Sequence, residues 1–372
     1  MTSVNAAPGR RLRVLVVTVV HDPEDARIRY RQLPALVEAG HQVVYAAPFT
    51  ACHRTPPAQV HGVDLPRAVG RRRLGAVRAA RAVIRRIGPT ADVILLHDPD
   101  LLLAIAGLDK QLAPIVWDVH EDTAAALSMR SWVPAALRAP LAWAVRSAER
   151  IAERRVHLLL AEHGYQERFR RNHPVVPNSV RVPSTRPPAP GAERVVYLGK
   201  ISRARGGAEM LALARAVPEL RFQLIGPAEA ALQPDLEAAH RAGDLEWFDF
   251  MPNADALDTL PGALAGLALL HDQPNYAHSL PTKLVEYLAH GVPVISTPNR
   301  TAVQLVEAAE GGIIVPFGDV DAAASALRRL AASAEYRRTC ASRGYDYVAQ
   351  HVNWYRDGPE FVRTLERASA DR

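Results

Sequence analysis

Hydrophobic positions along this 372-residue chain fall into two series. In the first, short β-branched runs alternate with stretches of helical spacing: LRVLVVTVV at 12 to 20, a helical pattern from Ile28 to Gly40, HQVVYAA, a basic helical pattern within Arg67 to Arg86, DVILL, LLLAIAGL and PIVWDV. Runs that are apolar at nearly every position suit strands buried on both faces, so this order predicts βαβ units around a parallel sheet. The second series begins at RVVYLG (194 to 199). It continues through a helix near Ala208 to Ala216, LRFQLIG, a helix near Ala230 to Ala242, LEWFDF, LAGLALL, HSLPTKLVEYLAHGVPVIST and GGIIVP. Between the series, six prolines from Pro174 to Pro190, closed by Gly191, mark a linker. The C-terminal segment around Trp354 and Tyr355 is again helical in pattern. The expected fold class is α/β, with domains at 1–176 and 193–353, a linker at 177–192 and a C-terminal helix at 354–372.

The segment from His278 to Thr297 carries the strongest chemical signal. A helix is expected from about Pro281 to His290, with Gly291 as a left-handed stop and Pro293 preventing continuation. Thr282 and Lys283 fall in its first turn, where free amides and the helix dipole favour an anion. Glu286, one turn further in, is placed for its carboxylate to accept hydrogen bonds from a ribose. The plain alternative is a sheet-flanking helix with a basic first turn and a surface glutamate. A lysine at that end is unfavourable without an anion, which argues for the site.

Ligands of open parallel sheets bind beyond the carboxyl ends of strands, so residues that follow strands matter most. The first strand leads into HDPEDARIRY, where a nicotinamide dehydrogenase needs the G-x-G-x-x-G turn; that class is set aside. After DVILL come His97, Asp98, Pro99 and Asp100. Asp98 followed by Pro99 reads as a helix N-cap, and a divalent cation on two carboxylates is a weak alternative. After PIVWDV comes His120, able to donate to a sugar hydroxyl or phosphate, or else satisfied by a neighbouring carbonyl. After RVVYLG come Lys200 and Arg205, two cations around a turn that ends in Gly206 and Gly207. That pattern suits a departing diphosphate, with solvated side chains as the alternative.

Composition narrows the setting. Cys52 and Cys340 lie far apart and no zinc-ligand spacing exists, so a reducing compartment is expected. The apolar run Val14 to Val20 is too short for a membrane span or a signal peptide, which places the protein in the cytoplasm. Residues 1 to 180 carry a net charge of +9 and the remainder a net −3. Much of the excess is the amphipathic stretch Arg67 to Arg86. It reads as a solvated face of a sheet-covering helix or as a peripheral contact with anionic lipid at the inner membrane face. Nucleic-acid binding ranks last, since no aromatic interleaving or known motif accompanies the charge.

Together, HDPEDARIRYRQLPALVEAGHQVV, LLHDPDLL, WDVHED, PNSV, YLGKISRARGG, LPTKLVEYLAHGVPVIS and GGIIVPFGD resemble the GT-B glycosyltransferases of the family-4 (group 1) type, over nearly the whole chain. The resemblance implies two Rossmann-like domains, the first binding acceptor and the second a nucleoside-diphosphate sugar, with a C-terminal helix packed on the first. By position it implies Lys200 and Arg205 at the diphosphate with Thr282 and Lys283, Glu286 at the ribose, Met251 at the base and His120 near the transferred sugar. Where the family often has a glutamate contacting the donor sugar, this sequence has His278, so His278 or Ser279 is expected to take that contact. Asp25, Arg27 and His97 are expected on the acceptor side. The expected activity is sugar transfer to a hydroxyl of a glycan, a glycolipid or a small molecule; the resemblance implies retention, and neither metal nor cofactor is expected to be required. An epimerase or phosphorylase on the same fold, or a non-catalytic nucleotide-binding homologue, stays open.

Overall fold

In the computed structural model of the chain, residues 10–108, 111–124, 134–273, 276 and 280–371 are described. They divide into two compact units, residues 1–177 with 356–372, and residues 178–355.

The first unit is built on a six-stranded parallel sheet in the order β3-β2-β1-β4-β5-β6. Its strands are β1 (Arg13–Val17), β2 (Gln42–Ala47), β3 (His61–Asp64), β4 (Val93–Leu96), β5 (Ile115–Val119) and β6 (His157–Leu160). Alternate side chains of each strand point to opposite faces. Leu15, Val17, Ile94, Leu96, Trp117, Leu158 and Leu160 face one side, where helices Arg73–Ile87 and Leu101–Ile105 and the end of Ala135–Ala152 cover them. The expected basic helix thus begins at Arg73, after a single 3₁₀ turn at Gly70–Arg72. Strand β3 carries no apolar run, whereas β6 lies in one, Leu158 to Ala161, that the two series above do not include. From Arg356 on, helix Trp354–Ala370 belongs to this unit, and Glu366 lies 3.4 Å from the buried His41.

The second unit repeats the plan, with order β12-β11-β10-β7-β8-β9. The strands are β7 (Arg194–Leu198), β8 (Arg221–Ile225), β9 (Glu246–Phe248), β10 (Ala265–Ala268), β11 (Val294–Ser296) and β12 (Gly312–Ile314), all parallel. Helices Gly207–Ala216, Gln233–Ala242 and Val320–Ala332 cover one face; Thr282–Ala289, Arg300–Ala309 and Ala334–His351 cover the other. Gly266 in β10 admits the Tyr287 ring, because a Cβ there would stand 2.3 Å from a ring carbon. In each sheet the strand order reverses once, between β1 and β4 and between β7 and β10. Parallel sheets bind ligands at such switch points, beyond the carboxyl ends of the strands.

Candidate functional site

At the switch point of the first sheet, the segments after β1, β4 and β5 bring His21, His97, Asp98 and His120 together with Asp118 of β5. Asp118 is buried at 1% exposure. A lone carboxylate there would be costly, and the protein answers with charge and hydrogen bonds. Arg27 donates from Nε and Nη2 to its two oxygens at 2.8 Å each, and Gln32 Nε2 donates at 2.7 Å. Burial pushes the Asp118 carboxyl up, but Arg27 and His97 hold it well below the usual range. Arg27, expected on the acceptor side, is itself 4% exposed and also donates to the carbonyl of Val176 at 3.0 Å. His97 is 2% exposed, behind His120 with ring centroids 5.6 Å apart.

His120 Nδ1 lies 3.1 Å from the carbonyl oxygen of its own strand residue Asp118. A carbonyl only accepts, so Nδ1 carries the proton and Nε2 of the neutral ring is an acceptor. His21 Nε2, 2.9 Å away, is then the donor to it. His21 Nε2 is also 3.2 Å from Asp98 and its Nδ1 is 3.8 Å from Asp25. Burial lowers the His21 pKa, yet Asp98 and Asp25 together raise it above the ordinary value. For His120, burial and then the charge of His21 push the pKa down to about 3. One cationic and one neutral imidazole therefore share a proton at this site.

Asp98 departs from its expected role as a helix cap. Its carboxylate accepts from the Thr18 hydroxyl and the amides of Val19 and Val20, fastening the end of β4 to the end of β1. Helix Leu101–Ile105 follows Asp100 and has no side-chain cap. Asp25 instead bonds the amides of Arg27 and Ile28, at 2.9 and 3.2 Å. His97, Asp118 and His120 have ligand atoms close enough for a metal. The Asp118 oxygens already accept from Arg27 and Gln32, so the group is better described as an ion pair with a histidine relay. His21, Asp118 and Gln32 were not singled out in the sequence; His21 follows a strand, which was the available signal, whereas Asp118 lies inside an apolar run.

At the switch point of the second sheet, β7 ends at Leu198, and the turn from Gly199 to Gly206 runs against the end of β10. His271 donates its amide to the Ala204 carbonyl at 3.0 Å. Gly206 has φ +79, and a Cβ there would be 2.4 Å from the Leu269 carbonyl oxygen, so only glycine fits this approach. Helix Thr282–Ala289 starts after Pro281 with no side-chain cap, leaving first-turn amides for an anion. Gly291 is left-handed at φ +67, as expected of the stop.

Lys283 is buried at 9% exposure, with Nζ 3.5 Å from the Tyr197 ring centroid and no hydrogen-bond partner among the described residues. Burial, then the nearby Arg205 charge, hold its pKa well below that of a free lysine, against Glu286. Glu286 is 7% exposed, not the surface glutamate of the plain alternative. Lys200 is exposed, and its carbonyl accepts from the Tyr197 hydroxyl at 2.7 Å. Met251 is partly buried beyond the end of β9. Thus Arg205, Lys283 and Glu286 are brought together, with Thr282 at the helix start. His278 and Ser279 lie outside the described residues. Tyr197, the floor under Lys283, was hidden in the sequence as one more apolar strand position.

Two α/β units, each built on a six-stranded parallel sheet of this topology, have the fold of the GT-B glycosyltransferases. Residues 192–333 match the family described as Glycosyl transferases group 1. Among solved structures, sucrose-phosphate synthase from Thermosynechococcus elongatus is similar with TM-score 0.76 at 17% identity, covering 97% of this chain and 100% of that one. Anabaena HepE in complex with UDP-glucose gives TM-score 0.69 at 13% identity, covering 96% and 100%. WaaG, a glycosyltransferase involved in lipopolysaccharide biosynthesis, gives 0.68 at 12%, covering 95% and 99%. No curated protein sequence matches the chain.

Proposed function

We propose that the protein transfers a sugar from a nucleoside diphosphate to an acceptor hydroxyl, with retention and without a metal, in the biosynthesis of a cell-surface glycan, a glycolipid or a natural product. The observation that carries this reading is the buried Lys283 ammonium, without a hydrogen-bond partner among the described residues, in the first turn of helix Thr282–Ala289. A buried cation site lacking its anion is a site for one. The diphosphate lies against Arg205, Lys283 and the amides of Thr282 and Lys283, with Lys200 reaching in from the turn. Charge developing on the leaving group strengthens each of these bonds, which lowers the barrier. Glu286 accepts from the ribose, Met251 contacts the base and His278 or Ser279 the donor sugar. HepE, similar in fold, was crystallised with UDP and with UDP-glucose, which supports a nucleotide-sugar donor of that kind.

In the first unit, which binds the acceptor, neutral His120 contacts the transferred sugar, and His21, Asp25, Arg27 and His97 act by orienting it and by holding Asp118. The exposed arginines between Arg67 and Arg86 make an anionic membrane surface the partner, with the protein in the cytoplasm at the inner membrane face. Glu286→Ala and Arg205→Ala are each expected to lower donor turnover at least tenfold, on the scale of about 1.5–3 kcal/mol for a hydrogen bond to a charged group. Intact turnover in both variants sinks the assignment. Product analysis without added acceptor separates a transferase from an epimerase, which changes the donor alone.

A further inference from the structure

We infer that one side of the first unit, formed by helices Arg73–Ile87, Leu101–Ile105 and Ala135–Ala152, docks on an anionic lipid bilayer and that the acceptor is therefore lipid-linked. This rests on the transferase reading, which supplies the need for an acceptor, and it extends the membrane contact from one helix to a whole face.

The first observation is where the exposed apolar side chains lie. Among the described residues of this unit, the exposed large hydrophobics all sit on these three helices or on the turn before the first. They include Val69, Leu74, Leu103, Leu137, Ile151 and Trp143, the last 71% exposed. Scattered apolar side chains on a surface need no explanation, but a one-sided set with an exposed tryptophan does. The buried residues of the same helices, Ala76, Ala80, Ile84, Leu101 and Ala152, join one core cluster on one face of the sheet. Helices Arg73–Ile87 and Leu101–Ile105 thus form one layer, to which Ala135–Ala152 is joined at its C-terminal end through Ala152.

Charge supplies the second observation. The two long helices, of 15 and 18 residues, contain eight arginines and one acid. That acid, Glu149, is 2% exposed and paired with Arg146 and Arg168. Asp100, beside the shorter helix, is paired with Arg73 at 2.7 Å. Arginine heads around apolar side chains complement an anionic headgroup layer above acyl chains, with tryptophan at the boundary. Two copies of this face opposed across a two-fold axis would set arginine against arginine, which disfavours closure by self-association.

The third observation joins the surface to the site. Asp122, two residues after His120, receives Arg146 at 2.7 Å. Asp100, two residues after Asp98, receives Arg73. Both long helices are therefore tied, through ion pairs, to the segments that carry the His21–His120 cluster. A bilayer lying on this layer brings headgroup-level hydroxyls to the same end of the sheet.

The test uses the full chain and vesicles of phosphatidylcholine alone or mixed with phosphatidylglycerol, at low and physiological salt. Cosedimentation is expected with the anionic vesicles only, weaker at the higher salt. Trp143→Asp, and separately a variant with Arg71, Arg72, Arg78 and Arg85 all changed to serine, are each expected to reduce partitioning by about tenfold or more. Both variants are expected to keep the thermal stabilisation given by a nucleoside diphosphate, which shows an intact second unit, and wild-type far-ultraviolet circular dichroism. Trp143→Ala serves where the aspartate disturbs folding. Absence of binding to anionic vesicles at low salt overturns the inference, as does wild-type binding by the variants. So does a lipid-free dimer that Trp143→Asp dissociates, which would make the face a contact between copies. Vesicle binding without stabilisation by any nucleoside diphosphate leaves the surface standing and sinks the transferase reading instead.

Discussion

Lys283 Nζ lies 3.5 Å from the centroid of the Tyr197 ring, a cation–π contact in place of a hydrogen bond. The ring faces an ammonium that burial and Arg205 hold well below its ordinary pKa. An incoming diphosphate reverses that balance, because its charge favours the protonated lysine.

Donor binding is therefore expected to take up a proton at pH values above the Lys283 pKa of the free protein. Below the Lys283 pKa of the free protein no uptake occurs; above it and below the raised pKa of the complex, affinity falls as pH rises. Isothermal titration of the matching nucleoside diphosphate in buffers of different ionisation heat measures the uptake, and Lys283→Met is expected to abolish it.

The same residue sets an opposition between stability and binding. With its folded pKa depressed, Lys283 binds fewer protons folded than unfolded, so its contribution to stability is unfavourable at neutral pH and fades as pH rises toward the unfolded value. Lys283→Met is expected to stabilise the ligand-free protein by about 1 kcal/mol while weakening the diphosphate by about tenfold or more. Thermal denaturation with and without nucleotide checks both signs.

What the sequence revealed follows from how burial is written in it. Strands β1, β4, β5, β7 and β10 are apolar runs buried on both faces, and the spacing around Lys283 and Glu286 fixed a helix start that the structure keeps within a residue. Asp98 misled because Asp-Pro has the local grammar of a cap, whereas its carboxylate is claimed by amides 78 and 79 residues away. Tyr197 and Asp118 were illegible because a strand position does not disclose which neighbour meets it. His21 and His120 each followed a strand, but only the strand order, β1 beside β4 and β4 beside β5, brings them within 2.9 Å.

Arg27 and Asp118 form a buried pair that stands or falls together. Arg27→Ala or Asp118→Ala alone leaves an uncompensated buried charge, at an expected cost of about 3–5 kcal/mol. Arg27→Met with Asp118→Leu is expected to recover much of it. Urea unfolding followed by tryptophan fluorescence measures each; a loss in the double variant equal to the sum of the two single losses would show that the pair does not couple.

His21 keeps His120 neutral by placing a like charge 2.9 Å from Nε2, after burial the second contribution to its pKa of about 3. Sugar transfer by the wild type is therefore expected to show no acid limb from His120 near pH 6.5. In His21→Asn the His120 pKa rises, and an acid limb moves up into the accessible range. A pH profile of kcat/KM for both proteins decides this; superimposable profiles contradict the proton-sharing pair.

Gly206 holds the Arg205 turn against β10. Gly206→Ala meets both the positive φ and the Leu269 carbonyl, and is expected to cost about 1–3 kcal/mol and most donor affinity. Gly243→Ala, also at positive φ but with open space at its Cβ, provides the control for backbone strain alone.

The turn after β7 and the start of helix Thr282–Ala289 are proposed to hold the diphosphate of a sugar donor. Thermal-shift titration of the wild type, Arg205→Ala and Glu286→Ala with UDP, GDP, ADP, dTDP and their sugars tests it most directly. The expected result is selective stabilisation of the wild type by one nucleotide, reduced in both variants. Stabilisation by none of them, or equal stabilisation of all three proteins, contradicts the account.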